Sequence, residues 1–220
     1  MDFRIADTFT DSLARLTGDE QKAVKTTAFD LQINSTSPGF NFHKLEKAKD
    51  RNFWSVRVNA DIRLIVHKTT GSLLLCYVDH HDKAYDWAER RKLETHPATG
   101  AAQLVEIRET VKEIVVPVYV HTKFATGPKL AAEKKAVYIA ASDDELLSYG
   151  VPAEWLDDVR KAITEDTLLA LTDHLPAEAA EALVELATGG KPRVPQPAVT
   201  AADPFDHPDA QRRFRVMTNV

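Results

Sequence analysis

Apolar residues recur at every second position in the middle of the first hundred residues. Trp54, Val56 and Val58 alternate there with polar residues, which is the period of a half-buried β-strand. The segments 62–68 and 72–78 follow at short intervals, each after a turn-forming stretch. The last of them is apolar on both faces, so it is predicted to lie centrally in a sheet. The pattern predicts a meander of three strands.

Helical spacing precedes this meander. Residues 3–6 are predicted to form a short strand, followed by two helices. The second helix is predicted to be capped by Asp19 and to bury one face. Its members are predicted to be Val24, Ala28, Leu31 and the adjacent Phe29.

A closing helix follows the meander, starting at Asp79 or Asp82 and running to about Glu94. The order of strand, helical hairpin, meander and helix predicts an α+β fold with a small antiparallel sheet.

The best domain boundary lies between Thr95 and Gly100. We expect a first domain over residues 1–96 and a connector subdomain over residues 101–188, with strand or mixed segments first and helices after. Two similar segments, beginning at Asp144 and Asp166, predict a small helical bundle in its second part. Residues 189–220 are predicted to be a Pro-rich linker and the start of a following domain.

Composition limits the classes of function. The 220 residues carry a net charge of -5, and residues 1–96 have 15 Lys and Arg against 14 Asp and Glu. This balance does not indicate a broadly DNA-binding domain, so nucleic acid would contact a local basic patch. No segment approaches the roughly 18 apolar residues of a membrane span, and the acidic N-terminus does not resemble a secretory signal. The single cysteine, Cys76, excludes an internal disulfide and fits a cytoplasmic protein.

Two arginines occupy neighbouring antiparallel strands of the predicted meander. Arg57 lies near the end of the first strand and Arg63 near the start of the second. Two guanidinium groups that converge can hold a phosphate and stabilise the charge of its transition state. The alternative is structural: each arginine faces solvent or pairs with Asp61 or Asp79.

Proton-transferring side chains follow the third strand. His80 and His81 lie at the junction with the closing helix, and Tyr85 comes four residues after His81. A histidine there can take a proton from a ribose hydroxyl or donate one to a leaving oxygen near neutral pH. The alternative is a satisfied strand-end histidine and a core tyrosine whose hydroxyl is hydrogen-bonded.

A basic loop precedes the meander, and its Lys44, Lys47 and Lys49 suit contacts with a nucleic-acid backbone or a solvated face equally well. The sequence predicts no metal site and no cofactor, because no metal-ligand motif is present and Gly127-Pro128-Lys129 lacks the spacing of a phosphate loop.

Together these residues resemble the RelE/ParE toxin superfamily over about residues 1–96, through WSVRV followed by IRLIV and then VDHHDKAYDWAER. The resemblance implies a small curled sheet with an N-terminal helical hairpin, and cleavage of messenger RNA on the ribosome by active members. It assigns catalysis to Arg63, His81 and Tyr85, and binding of phosphate or nucleic acid to Arg57. Ser55 stands where ribosome-dependent members carry a lysine.

The ending HHDKAYDWAERR resembles a variant of this fold that precedes UvrD/Rep-type DNA helicases. The later segments DELL, GVPAEW and DPFDHPDAQRRFRV resemble the connector in front of the motor of such helicases. This resemblance implies that the chain is an N-terminal fragment, with a helicase motor as partner in cis and the ATPase motifs outside it.

Three hypotheses follow. The first is a metal-independent ribonuclease, with Arg57, His80, Lys44, Lys47 and Lys49 contacting RNA. The second, which the resemblance favours, is a helicase-associated module that binds RNA, DNA or a protein. The third is a free-standing toxin held by an antitoxin. Lysines lining the same edge as the arginines would favour the enzyme, and an exposed apolar patch would favour docking.

Overall fold

A computed structural model describes residues 2–34, 40–112, 114, 139–194 and 203–217. The chain divides into two compact units. The first comprises Met1–Thr95, Ala101–Leu104 and Pro197–Val220, and the second comprises His96–Gly100 and Val105–Gln196.

The described chain up to residue 106 contains both strands and helices. Its elements are β1 (Asp2–Ala6), α1 (Asp7–Ala14), α2 (Gly18–Ile33), β2 (Phe42–Lys44), β3 (Phe53–Arg57), β4 (Ile62–Lys68), β5 (Ser72–His80), α3 (His81–Glu89), β6 (Arg91–Thr95) and β7 (Ala102–Glu106).

The rest of the described chain is mainly helical. Its elements are α4 (Asp143–Ser148), α5 (Leu156–Lys161), α6 (Glu165–Thr172), α7 (Ala177–Ala187), α8 (Pro208–Arg213) and the strand β8 (Phe214–Val216). Short 3₁₀ turns span Arg108–Thr110, Ala153–Trp155 and Pro204–Asp206. The strand or mixed segments predicted for the first part of the connector span residues 104–120 and 135–140, of which residues 113, 115–120 and 135–138 lie outside the described residues.

The main sheet has the order β2-β3-β4-β5-β1-β8. The predicted meander is confirmed: β3 pairs antiparallel with β4, and β4 with β5. β1 pairs parallel with β5, and β8 pairs antiparallel with β1. The predicted α+β fold class is therefore confirmed. The division into residues 1–96, 101–188 and 189–220 stays a prediction, although residues 214–216 add a strand to the first unit.

Helices cover both faces of this sheet. On one face, Val24 and Leu31 of α2 are buried against strand residues such as Val56 and Leu64. On the other face, Trp87 of α3 belongs to a second cluster of buried residues. The second of these cores fixes α3, and with it the residues at its start, against the sheet.

The prediction that Phe29 is buried was wrong. Its side chain is 61% exposed, whereas Val24 and Leu31 are fully buried. Successive residues of an α-helix are rotated by about 100°, so Phe29 lies about 140° from Val24 around the axis. The predicted cap was also wrong: Thr17, not Asp19, caps α2 in a capping box with Glu20.

The closing helix is shorter than predicted. It ends at Glu89, and residues 91–95 form β6, which pairs with β7 in a two-stranded sheet. The second unit has its own core around Trp155, which is fully buried and donates from Nε1 to the backbone oxygen of Glu106 at 2.9 Å. Within the described ranges, no helix is both long and apolar enough to cross a bilayer.

Candidate functional site

The turn between β3 and β4 is organised by one side chain. Asn59 Oδ1 accepts hydrogen bonds from the backbone nitrogens of Asp61 and Ile62, at 2.9 and 2.8 Å. An asparagine that caps its own turn in this way stabilises the turn through hydrogen bonds from its side chain to the backbone. The carbonyls of Asn59 and Ala60 then accept from arginines.

The structure brings Arg57 and Arg63 together. They are paired directly across β3 and β4, at the end of the two strands. Arg57 Nε donates to the carbonyl oxygen of Asn59 at 3.0 Å, and Arg63 Nη1 donates to the same oxygen at 3.1 Å. Arg63 Nη1 also donates to the carbonyl oxygen of Ile62 at 3.0 Å. Two like charges therefore share one neutral acceptor, which orients both guanidinium groups without neutralising them.

Neither arginine has an acidic partner within the part of the chain that the structure describes. Asp61 bonds to His80 instead, and Asp79 accepts from the Tyr77 hydroxyl at 3.1 Å. The Nη atoms of Arg57 make no hydrogen bond to any described residue. The structural alternative of pairing with Asp61 or Asp79 is therefore not what this structure shows, and donor groups stay open to an anion.

His80 is held by carboxylates. Its Nδ1 lies 2.5 Å from Asp61 Oδ2, and its Nε2 lies 3.9 Å from Glu20 Oε1. The hydrogen bond to Asp61, and the nearby acids, raise the pKa of His80 above its usual range. The positive charge of a protonated His80 is therefore balanced by the neighbouring carboxylates of Asp61 and Glu20. Its contact with phosphate stays a prediction.

His81 and Tyr85 are also brought together. Their ring centroids lie 4.3 Å apart, at an interplanar angle of 49°. His81 Nδ1 lies 2.8 Å from Asp82 Oδ1. An ionised carboxylate only accepts hydrogen bonds, so Nδ1 carries a proton and Nε2 of the neutral ring is the acceptor. His81 is thus arranged to take a proton at Nε2.

The Tyr85 hydroxyl lies 3.0 Å from Ser55 Oγ. Tyr85 is half-buried beside the core under α3, so the predicted structural alternative for this tyrosine is met in part. Ser55 is two residues before Arg57 on the same strand, and two residues of a strand span roughly 7 Å on one face. The tyrosine and the arginine pair therefore share one face of the sheet.

An open cleft of about 360 Å³ adjoins Tyr85. Its lining residues come from β2, the basic loop and α3, and are His43, Lys44, Leu45, Glu46, Lys47, Tyr85 and Glu89. Lys44 and Lys47 line the cleft, whereas Lys49 is exposed further along the loop and is not among the lining residues. Binding of nucleic acid by the three lysines stays a prediction. Glu46 and Glu89 match the two lysines in charge, so the cleft is formally neutral when His43 is neutral.

Other reactive side chains lie inside the sheet. Cys76 is fully buried, and burial raises the pKa of its thiol far above the usual range. His67 is nearly buried with its Nε2 3.6 Å from Asp50 Oδ2. A buried, protonated thiol is a poor nucleophile, so Cys76 serves packing. Among the described residues, no group of three or more His, Cys, Asp or Glu is placed to hold a metal ion.

The sequence predicts no role in the site for three residues that shape it. Asn59 builds the turn under the arginines, Ser55 bonds the Tyr85 hydroxyl, and Asp82 sets the tautomer of His81. The sequence offers a signal for Asn59 alone, because an asparagine between two strands favours a side-chain-capped turn.

No protein-family model matches the chain, and no curated protein matches it. Two solved structures are similar to part of it. One is the RelB–RelE antitoxin–toxin complex from Methanococcus jannaschii, at 20% identity and a TM-score of 0.32, covering 38% of this chain and 95% of that chain. The other is the toxin–antitoxin complex RelBE2 from Mycobacterium tuberculosis, at 21% identity and a TM-score of 0.27, covering 36% and 95%. Neither likeness assigns a role to any residue of this chain.

Proposed function

We propose that the first unit is a toxin-like module that binds RNA across the ends of β3 and β4 and cleaves it without a metal. The observation that supports this proposal is the pair Arg57 and Arg63. Their two guanidinium groups lie side by side and have no acidic partner among the described residues. Such a pair suits a phosphate best, because the phosphate oxygens can accept hydrogen bonds from both guanidinium groups at once.

The chemistry is an internal transesterification. The ribose 2′ oxygen attacks the adjacent phosphorus, the bond from phosphorus to the 5′ oxygen breaks, and a 2′,3′-cyclic phosphate forms. His81 Nε2 takes the proton of the 2′-hydroxyl, and the leaving 5′ oxygen takes a proton from water in the open cleft. A positioned base of this kind contributes about 10²–10⁴-fold in rate.

The arginines and Tyr85 supply the rest of the mechanism. Arg63, with Arg57 beside it, stabilises the additional negative charge on the phosphorane. Tyr85, fixed by Ser55 and tilted against His81, gives a surface on which a base can stack.

The second candidate is a module that binds nucleic acid without cutting it and precedes a UvrD/Rep-type helicase motor. The formal neutrality of the Tyr85 cleft favours this candidate, since cleavage on the ribosome is the work of strongly basic members. Its link to a helicase rests on the sequence segments HHDKAYDWAERR and DPFDHPDAQRRFRV. A toxin neutralised by an antitoxin-like protein is the third candidate.

The test is cleavage of a 5′-labelled RNA, alone and on translating ribosomes, by the whole chain and by Arg63→Ala/His81→Ala. The whole chain is needed because residues 214–216 complete the sheet of the first unit. Arg193→Ala, an exposed arginine of the second unit, is the matched control. Cutting that only the double variant loses supports the ribonuclease. Binding without cutting supports the helicase-associated module, and neither binding nor cutting overturns both in favour of a protein partner.

A further inference from the structure

A second set of side chains on the same sheet has the chemistry of a nucleic-acid surface. Phe42 and Lys44 lie two residues apart on β2, and Lys44 is paired with Trp54 of β3. Trp54 is paired with Val66, and Lys68 is two residues beyond Val66 on β4. Because side chains two apart in a strand share a face, these four side chains (the β2 aromatic cluster: Phe42, Lys44, Trp54 and Lys68) lie on one face. That face is the one opposite α3.

The cations in the β2 aromatic cluster lie over its rings. Lys68 Nζ is 4.0 Å from the centroid of the Phe42 ring and 5.9 Å from that of Trp54. Lys44 Nζ is 5.7 Å from the Trp54 centroid. Both rings are half-buried and pack at the margin of the core of the helical hairpin.

Neither ammonium group of the cluster pairs with a carboxylate anywhere in the described ranges of the chain. A lysine held by an aromatic ring alone keeps its full positive charge for an incoming anion. Alternating aromatic rings and unpaired cations at one strand edge are what single-stranded nucleic-acid surfaces use: bases stack on the rings and phosphates meet the cations.

We propose that the β2 aromatic cluster binds an unpaired RNA strand that leads to the Tyr85 cleft. Lys44 belongs to both places, since it lines the cleft and lies over Trp54. His43, between Phe42 and Lys44, lines the cleft from the other face of β2. The edge strand thus presents RNA contacts on both of its faces. The identity of the strand as RNA rests on the proposed function.

A duplex does not fit this surface. Bases in a helix are stacked on one another, and only a splayed base exposes its face to Trp54 or Phe42. The β2 aromatic cluster therefore selects single strands, with little dependence on sequence because every base has a π-face.

The test measures binding of a fluorescein-labelled 12-nucleotide oligo(U) to the whole chain by anisotropy. Trp54→Leu keeps an apolar side chain on the core and removes the stacking face, so affinity should fall about tenfold. Lys68→Gln should weaken binding and reduce the slope of log affinity against log salt by about 0.7. Lys25→Gln, with the same charge change on exposed α2, should leave both unchanged.

Failure of this inference and failure of the proposed cleavage have different signatures. Binding that depends on Trp54 and persists in Arg63→Ala/His81→Ala, with no cleavage by the wild type, keeps the inference and removes the proposed enzyme. Wild-type affinity in both Trp54→Leu and Lys68→Gln overturns the inference, as does equally tight binding of a 12-base-pair RNA duplex or no binding at all. If circular dichroism shows that Trp54→Leu is unfolded, the affinity of Lys68→Gln and its salt slope decide whether the inference holds.

Discussion

Arg108 of the second unit and the pair Arg57 and Arg63 of the first have different partners. In the second unit, Arg108 donates from Nε and Nη2 to the two carboxylate oxygens of Asp158, at 2.6 and 2.9 Å. In the first unit, Arg57 and Arg63 donate to carbonyl oxygens of the β3–β4 turn. A carboxylate neutralises the guanidinium that it binds, whereas a carbonyl only orients it. The partner therefore separates an arginine that holds structure together from one that keeps its charge for a ligand.

The contrast follows the partner and not the unit. Arg4, in the first unit, is almost buried and donates to Asp203 at 2.9 Å, and its guanidinium lies 4.5 Å from the centre of the Phe205 ring. It ties residues 203–205 to β1 and belongs with Arg108. The pair Arg57 and Arg63 stands apart because its members are exposed or half-buried and face each other.

The largest effect is expected for Arg108→Ala. This change removes a side-on pair with a nearly buried Asp158 and a hydrogen bond to the Val111 carbonyl, and leaves the carboxylate without its cation. The free energy of unfolding should fall by about 2–3 kcal/mol. Urea denaturation measures it, with the exposed Arg193→Ala as control. A loss below about 0.5 kcal/mol, as for an ordinary surface site, would contradict the structural role.

A smaller effect is expected for Asn59→Ala. The backbone nitrogens of Asp61 and Ile62 lose their common acceptor, which should cost about 1 kcal/mol of stability. The turn carbonyls would no longer hold Arg57 and Arg63 in place, so RNA binding should weaken as well. Asn52→Ala, in an exposed turn of the same unit, is the matched control. Unchanged stability and binding would show that the arginines need no prearranged turn.

The pH dependence of stability should change in Asp61→Asn. The pKa of His80 is raised in the folded chain, chiefly by Asp61, so this group stabilises the fold fully below its unfolded pKa. That contribution is lost as the pH rises through the folded pKa. Wild type and variant should therefore differ more at pH 5.5 than at pH 8.5.

Glu20 and Asp79 also act on His80, so Asp61→Asn should leave part of the shift in place. NMR titration of the His80 ring should show its pKa moving down toward the usual value. The control is Asp30→Asn, an exposed acid on α2. A difference in stability that grows with pH would have the wrong sign and would contradict the assignment.

The smallest effect on stability is expected for Arg57→Ala, within about 0.5 kcal/mol, because this exposed side chain makes one hydrogen bond and relieves a like-charge pair when removed. Its effect on RNA affinity should be several-fold. Chemical denaturation and anisotropy on the same sample check both. If Arg57→Ala lost much of its stability but bound RNA with wild-type affinity, Arg57 would have the structural role that is assigned to Arg108.

Local patterns in the sequence were enough to predict the meander and to predict which candidate site residues lie near one another. Alternation placed Arg57 on a strand facing the next, and the four-residue spacing placed Tyr85 over His81. Phe29 was misplaced because adjacency to an apolar position is not membership of the same helical face. The early end of α3 was missed because β6 is specified by its pairing with β7, which no local pattern reveals.

The partners of the site residues were beyond local reasoning. The hydrogen bond between the hydroxyls of Ser55 and Tyr85 joins residues 30 apart, and its geometry depends on how α3 packs on the sheet. β8 has three residues and pairs with β1 about 210 positions away, so nothing near residues 214–216 predicts that strand. Neither the alternation of apolar residues nor a turn signal carries such information.

Because β8 pairs with β1, the main sheet is completed only late in synthesis of the chain. Residues up to 95 supply the other five strands, and β8 becomes available only after some 120 further residues have been made. At about 5–20 residues per second, that delay lasts roughly 6–24 seconds. Through that interval β1 has an open outer edge, which other strands can join. A nascent chain is therefore most exposed to misassembly, or to capture by a passing strand, while the second unit is still emerging.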